Sequence, residues 1–155
     1  MSPVRTVSDP GTLADRQEIV DLITSLFIAT DEKNWPAALA CFADQVLFDM
    51  SSLTGSPAAA TPADSIVEGW KFALQAIPVV HHQLGNFRVG IEGDHAEAFC
   101  YGIAYHHRPN IPAKNTRTIV GTYDFHLTRS GDRWRIDGFR FNVKLVDGNL
   151  ELEKF

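Results

Sequence analysis

One carboxylate and one imidazole in this chain fall where a fold would bury them together. Asp31 continues the series Ile19, Ile23 and Phe27 at i+4 steps, so it closes the apolar stripe of a helix. His82 lies in the strand-like run Val79-Val80-His81-His82-Gln83-Leu84-Gly85-Asn86. An Asp that accepts a hydrogen bond from one ring nitrogen of a His leaves the other nitrogen to lift a proton from carbon. At the negative end of its helix dipole a carboxylate is disfavoured by about 0.3–1 kcal/mol even in water. Burial adds a larger penalty unless a partner satisfies it. A solvated last-turn Asp beside Glu32 and Lys33 fits the same spacing equally well.

Strand alternation extends the candidate set. Ala96, Ala98, Cys100, Gly102, Ala104 and His106 share one face, while Glu97, Phe99, Tyr101, Ile103, Tyr105 and His107 share the other. A face of small residues ending in a His leaves room for a hollow with one polar group in it. His82 shares its face with Val80 and Leu84, yet Phe87, Val89 and Ile91 continue on odd numbers, so Gly85-Asn86 reads as a bulge. Tyr123, on one face with Gly121 and Phe125, is placed to hydrogen-bond a substrate oxygen; an ordinary strand aromatic is the plain alternative. Taken singly, each His also fits a half-buried residue bonded to a backbone carbonyl. Trp35, Trp70 and Trp134 read most simply as core or rim packing. Trp70, on the buried side of a helix, is assigned with Met50, His106 and Tyr123 to the substrate-binding wall.

Other chemistries lack their residues. The two His-His pairs offer one His per face, with no HxH or HExxH spacing, so no metal is expected. Without GxGxxG, GxxxxGK[ST] or GxSxG motifs, nucleotide binding and a serine nucleophile have no support, and no cofactor is expected. A net charge of −5 with no basic stripe argues against nucleic acid. Cys41, in a predicted helix, and Cys100, in a predicted strand, have no ligand or disulfide spacing and read as reduced, apolar residues of a cytoplasmic protein. No apolar run approaches membrane-spanning length.

These side chains need elements to hold them. At 155 residues, 45% of them hydrophobic and 21% charged, the chain suits one domain. Residues 1–12 read as a flexible arm without a signal-peptide core, 13–146 as one domain and 147–155 as a tail. A first helix starts at Thr12, with Asp15 and Glu18 favouring its positive end, and stops near Glu32. Asn34-Trp35-Pro36 caps a second helix that turns Ala38, Leu39 and Phe42 inward. A short strand over 46–50, a loop from Leu53 to Pro62 and a third helix over 63–76 follow, the helix burying Ile66, Trp70 and Leu74 before Pro78. Strands are expected over 80–91, 95–108, 116–129 and 133–146, with Gly93-Asp94 and Gly131-Asp132 as hairpin turns. The class is α+β: a cone-shaped barrel of a strongly curved, mainly antiparallel sheet wrapped around three helices of the N-terminal half.

From Asp15 to Val146 the chain resembles the SnoaL-like branch of the nuclear transport factor 2-like superfamily. The carriers are Asp15-Arg16-Gln17-Glu18-Ile19-Val20-Asp21-Leu22, Thr30-Asp31-Glu32-Lys33-Asn34-Trp35-Pro36-Ala37-Ala38-Leu39, His82-Gln83-Leu84-Gly85-Asn86 and Gly131-Asp132-Arg133-Trp134-Arg135-Ile136. Within it the spacing is similar to scytalone dehydratase, bile-acid dehydratase and hexachlorocyclohexane dehydrochlorinase. That resemblance implies that Asp31 and His82 are the catalytic pair, joined by His106 as in scytalone dehydratase. The chain also departs from those enzymes. Met50 and Thr30 stand where dehydratases carry tyrosines, and Gly121 and Tyr123 where scytalone dehydratase has a serine and an asparagine. The proton-abstracting pair is kept while the carbonyl-binding part is changed, so scytalone itself is not the expected substrate.

The expectation is a cofactor-independent lyase (a dehydratase or related elimination) or an isomerase acting on a small, mostly apolar cyclic, polyketide-like or steroid-like substrate. The alternative is a non-catalytic ligand-binding or oligomerisation module of the same fold. An epoxide hydrolase or polyketide cyclase is a third reading; the former calls for a set of water-positioning polar residues that cannot be assembled here. Partners are expected to be an apolar small molecule and further copies of this chain, trimer or dimer, through the face carrying Phe99, Tyr101, Ile103 and Tyr105.

Overall fold

The i+4 series that ends at Asp31 forms one helix, α1 (Pro10–Asp31), with Ile19, Ile23, Leu26 and Phe27 buried. In this computed structural model residues 10–112 and 114–154 are described. The helix starts two residues before Thr12, because a proline is tolerated in a first turn whose N–H groups have no intrahelical acceptor. The rest of the expected arm, residues 1–9, lies outside the described residues.

The helix stops where the site needs it to. Lys33 takes a left-handed conformation (φ 56°), its N–H donates to the Thr30 carbonyl and the Asn34 N–H donates to the Ala29 carbonyl. This is a Schellman stop without the usual glycine. Lys33 Nζ offsets the strain by donating to the Leu74 and Ile77 carbonyls at 2.9 and 2.7 Å, which pins the turn to the end of a later helix.

Asn34 caps α2 (Trp35–Leu39), its side chain accepting from the Ala37 N–H at 3.3 Å. This helix is shorter than expected. Cys41 lies in the following turn, Leu39 is exposed, and Phe42 opens strand β1 (Phe42–Asp49) rather than closing a helix. The expected loop from Leu53 to Pro62 is also structured. A single helical turn, α3 (Ser51–Thr54), leads to β2 (Ala59–Pro62), which pairs antiparallel with β1. An edge strand this short needs only backbone pairing, so its Ala-Thr-Pro sequence carries no strand pattern. Helix α4 (Ala63–Leu74) then buries Ile66, Val67 and Leu74.

Strands β3 (Val79–Glu92), β4 (His95–His107), β5 (Thr116–Ser130) and β6 (Arg133–Gly148) form the meander. The six-stranded sheet has the order β2-β1-β6-β5-β4-β3, antiparallel except for the β1–β6 pair. It is curved and unclosed, with the helices packed into its hollow. Gly93 and Gly131 make the two tight turns with φ of 61° and 67°.

The β3 register shifts between Gly85 and Arg88, with Asn86 at φ 55°. This bulge lets Val80 and His82 face inward on even numbers and Val89 on an odd one. In β4 the whole series from Ala96 to His106 faces inward and is buried. Asp15 ties the start of α1 to the β5–β6 hairpin, accepting from Arg129 at 3.0 Å and from the buried Trp134 indole at 3.2 Å. No helix among the described residues is long and apolar enough to cross a membrane.

Candidate functional site

The Schellman stop leaves Asp31 as the last helical residue, pointing at β3. One carboxylate oxygen accepts the His82 backbone N–H at 2.9 Å and the other lies 2.6 Å from His82 Nδ1. Both side chains are largely shielded, at 11% exposure for His82 and 17% for Asp31. The His82 ring packs on Phe27 at 4.9 Å between centroids. Its Nε2, on the opposite edge of the ring, has no protein partner among the described residues.

The His82 ring lines a cavity of about 680 Å³ between α1, α4 and the inner face of the sheet. Met50, Trp70, His106 and Tyr123 line it too; Asp31 stands behind His82, outside the lining. The walls are mostly apolar, with the aromatic rings of Phe27, Phe48, Trp70, Phe139 and Phe141 among aliphatic side chains, and Arg117 also reaches the lining. Phe139 joins them, its ring 5.5 Å from Trp70 and 5.6 Å from Tyr123. The small face of β4 makes room for this packing. A Cβ on Gly102 would lie 2.3 Å from Tyr123 Cε2, so the tyrosine ring lies across the glycine. Burial pushes the Tyr123 phenol well above its usual range.

His106 is the second imidazole of the cavity, 6.5 Å from His82 between ring centroids. Its Nδ1 is faced by Arg117 Nε at 3.2 Å and Nη2 at 3.0 Å. Arg117 Nη1 donates in turn to Glu153 at 2.7 Å and to the Leu150 carbonyl at 3.3 Å. Burial first, then the neighbouring guanidinium, depresses the His106 pKa to about 4. The expected tail is part of the site: Leu150 lines the cavity, and Leu152 is fully buried against Leu74, Ile77 and Val80.

Several of these residues escape the sequence reading. Arg117 follows the parity of Gly121 and Tyr123 and pairs in register with His106, so a charge on the inward face was a signal to extend the series back by four residues. Glu153 and Leu150 carried no such signal, because they arrive by the folding back of the tail. Thr30 is buried, with its hydroxyl donating to the Leu26 carbonyl at 2.8 Å.

A second His–Asp pair lies on the outer face of the sheet. His126 Nδ1 meets one oxygen of Asp137 and Thr128 donates to the other, with His126 43% exposed. With Arg88, Asp124 and Arg140, His126 lines an open groove of about 410 Å³, separate from the cavity that holds His82. Cys100, deep under the sheet, has its thiol pushed up to about 12 by burial. No cluster of three metal-ligating side chains occurs among the described residues.

The sequence model of the SnoaL-like domain matches residues 11–140. No curated protein matches the chain. The crystal structure of protein Kfla4162 from Kribbella flavida superposes with a TM-score of 0.86 at 23% identity, covering 93% of this chain and 99% of that one. A candidate aromatic ring hydroxylase from Novosphingobium aromaticivorans gives 0.76 at 25% identity, covering 91% and 97%. The type-3 hexachlorocyclohexane dehydrochlorinase from Novosphingobium barchaimii gives 0.75 at 14%, covering 93% and 96%.

Proposed function

The chain belongs to the SnoaL-like domain family, and on that premise we propose that it is a cofactor-independent lyase or isomerase for a small, mostly apolar cyclic, polyketide-like or steroid-like substrate. One observation carries this reading: an Asp31–His82 contact of 2.6 Å whose imidazole lines an aromatic cavity. With Nδ1–H donated to Asp31, His82 Nε2 holds the lone pair and takes a proton from carbon beside a carbonyl or a leaving group. Asp31 keeps the tautomer and stabilises the imidazolium that forms. His106 or Tyr123 donates to the developing oxyanion or to the departing hydroxyl. The aromatic walls strengthen those contacts by excluding water.

The test is a screen of hydroxy-ketones and alkyl halides for elimination, with His82→Ala beside the wild type. Turnover in the wild type and its loss in a folded His82→Ala protein is the expected result. Retained turnover in that variant withdraws the catalytic reading.

A second reading is a ligand-binding module without chemistry. It is favoured by Met50, which is apolar, and by Thr30, whose hydroxyl is engaged with its own helix. An apolar ligand whose affinity survives His82→Ala, in a protein that turns nothing over, selects this reading. Self-association, as trimer or dimer, is proposed through the outer face of β4, where Tyr101 and Tyr105 are 45% and 38% exposed. Sedimentation at micromolar concentration tests it, and a monomer there withdraws it.

A further inference from the structure

The two cavity imidazoles meet opposite chemistry at the same ring atom. His82 Nδ1 faces a carboxylate, a group that accepts hydrogen bonds. His106 Nδ1 faces two nitrogens of a guanidinium, a group that only donates and stays protonated. His106 Nδ1 must therefore be the lone pair, and in the neutral ring the proton resides on Nε2. Among the described residues Nε2 of His106 has no protein partner, and the ring lines the cavity.

We infer that Arg117 is a positioning residue of this site: held by Glu153 and the Leu150 carbonyl, it fixes His106 as the hydrogen-bond donor that faces the base His82. One carboxylate and one guanidinium thus assign opposite jobs to two otherwise equivalent rings. The base has a lone pair at Nε2 and its partner has an N–H there. A substrate oxygen beside that N–H is then recognised by His106. The proton lost from carbon goes to His82, because a guanidinium against His106 Nδ1 opposes a second proton on that ring.

The charges around His106 come from every element packed on it. Arg117 on β5 and His82 on β3 oppose its protonation, while Glu153 on the terminal turn and Asp31 on α1 favour it. Burial and Arg117 dominate, which agrees with the depressed pKa of about 4. The device also explains the docked tail. Without Glu153 and Leu150, the Arg117 side chain, 14% exposed, loses the groups that aim it.

The inference rests on the catalytic reading for its chemistry but not for its test. The full chain, labelled with 15N at histidine, is followed by long-range imidazole proton–nitrogen correlation between pH 4 and 8, with His106→Gln assigning the resonances. In the wild type, His106 is expected to show an unprotonated Nδ1 and a protonated Nε2, and to stay neutral to below pH 5. In Arg117→Met, both tautomers are expected, with protonation moving up toward the ordinary value of about 6.5. Glu153→Gln releases Arg117 and is expected to admit part of the second tautomer, while the loss of its own charge, which favours protonation, keeps the His106 titration from moving up as it does in Arg117→Met. A wild-type ring with its proton on Nδ1 overturns the inference without any variant. So does an Arg117→Met protein with unchanged tautomer and titration. An Arg117-dependent tautomer in a protein that eliminates nothing upholds the positioning and removes only the catalytic reading.

Discussion

Asp31 grips His82 at two points, with one oxygen on the backbone N–H at 2.9 Å and the other at the ring Nδ1 at 2.6 Å. The ring cannot turn away without stranding a shielded carboxylate that the backbone still holds. The carboxylate therefore fixes the position of the imidazole and, as acceptor, its tautomer. Asp31→Asn keeps the shape but places an amide N–H within reach of Nδ1. That contact favours the tautomer whose Nε2 is protonated and no longer a base. A fall in kcat of about 10²–10⁴-fold is expected in elimination assays, with the fold intact by circular dichroism. Undiminished turnover would mean that the carboxylate does not set the tautomer.

His106 makes stability depend on pH. Its folded pKa, about 4, lies below the ordinary imidazole value. Between those values the unfolded chain binds the proton and the native protein does not, so stability rises with pH across that window. Stability is undiminished above about pH 6.5 and falls below it, the loss growing to roughly 3 kcal/mol by pH 4. Urea unfolding of the wild type and His106→Gln at pH 7 and pH 4.5 checks this. The gap between the two proteins should narrow or reverse at the lower pH; a constant gap contradicts a buried neutral His106.

Gly102 tests the cavity floor. A methyl group there meets the Tyr123 ring at 2.3 Å. The ring, packed 4.9 Å from Phe27 and 4.8 Å from Phe141, must shift as a unit. Gly102→Ala is expected to destabilise by about 1–3 kcal/mol and to weaken binding of apolar ligands. Thermal melts and binding of an aromatic fluorophore report the two effects separately.

Lys33 tests the helix stop that places Asp31. Lys33→Ala loses both carbonyl contacts and keeps the left-handed strain, whereas Lys33→Gly loses the contacts but relieves the strain. The glycine variant is expected to be the more stable of the two by about 1 kcal/mol in chemical denaturation. Equal stabilities would show that the backbone at this turn had relaxed.

Local patterns made much of this molecule legible. The i+4 series put Asp31 on the apolar face of α1, and the parity change at Gly85-Asn86 located a bulge that the β3–β4 register contains. Alternation separated the inward His106 from His107 and placed small residues beneath the cavity. Such patterns report which face a side chain occupies, because helix and strand geometry repeats within a few residues. They were weakest where backbone hydrogen bonds alone define the element, as in β2, and where a side chain replaces an expected glycine, as at Lys33.

Which groups meet was decided only in three dimensions. Asp31 and His82 are 51 residues apart, and periodicity supplies no distance between one helix end and one strand. The assignment of opposite roles to His82 and His106 was less visible still. It depends on Arg117 lying across from His106 in the β4–β5 register and on Glu153 returning from the end of the chain. The sequence by itself determined the faces; the tertiary fold decided the partners, since a ring's proton goes where its neighbours accept or donate, and those neighbours converge only when the sheet curves and the tail docks.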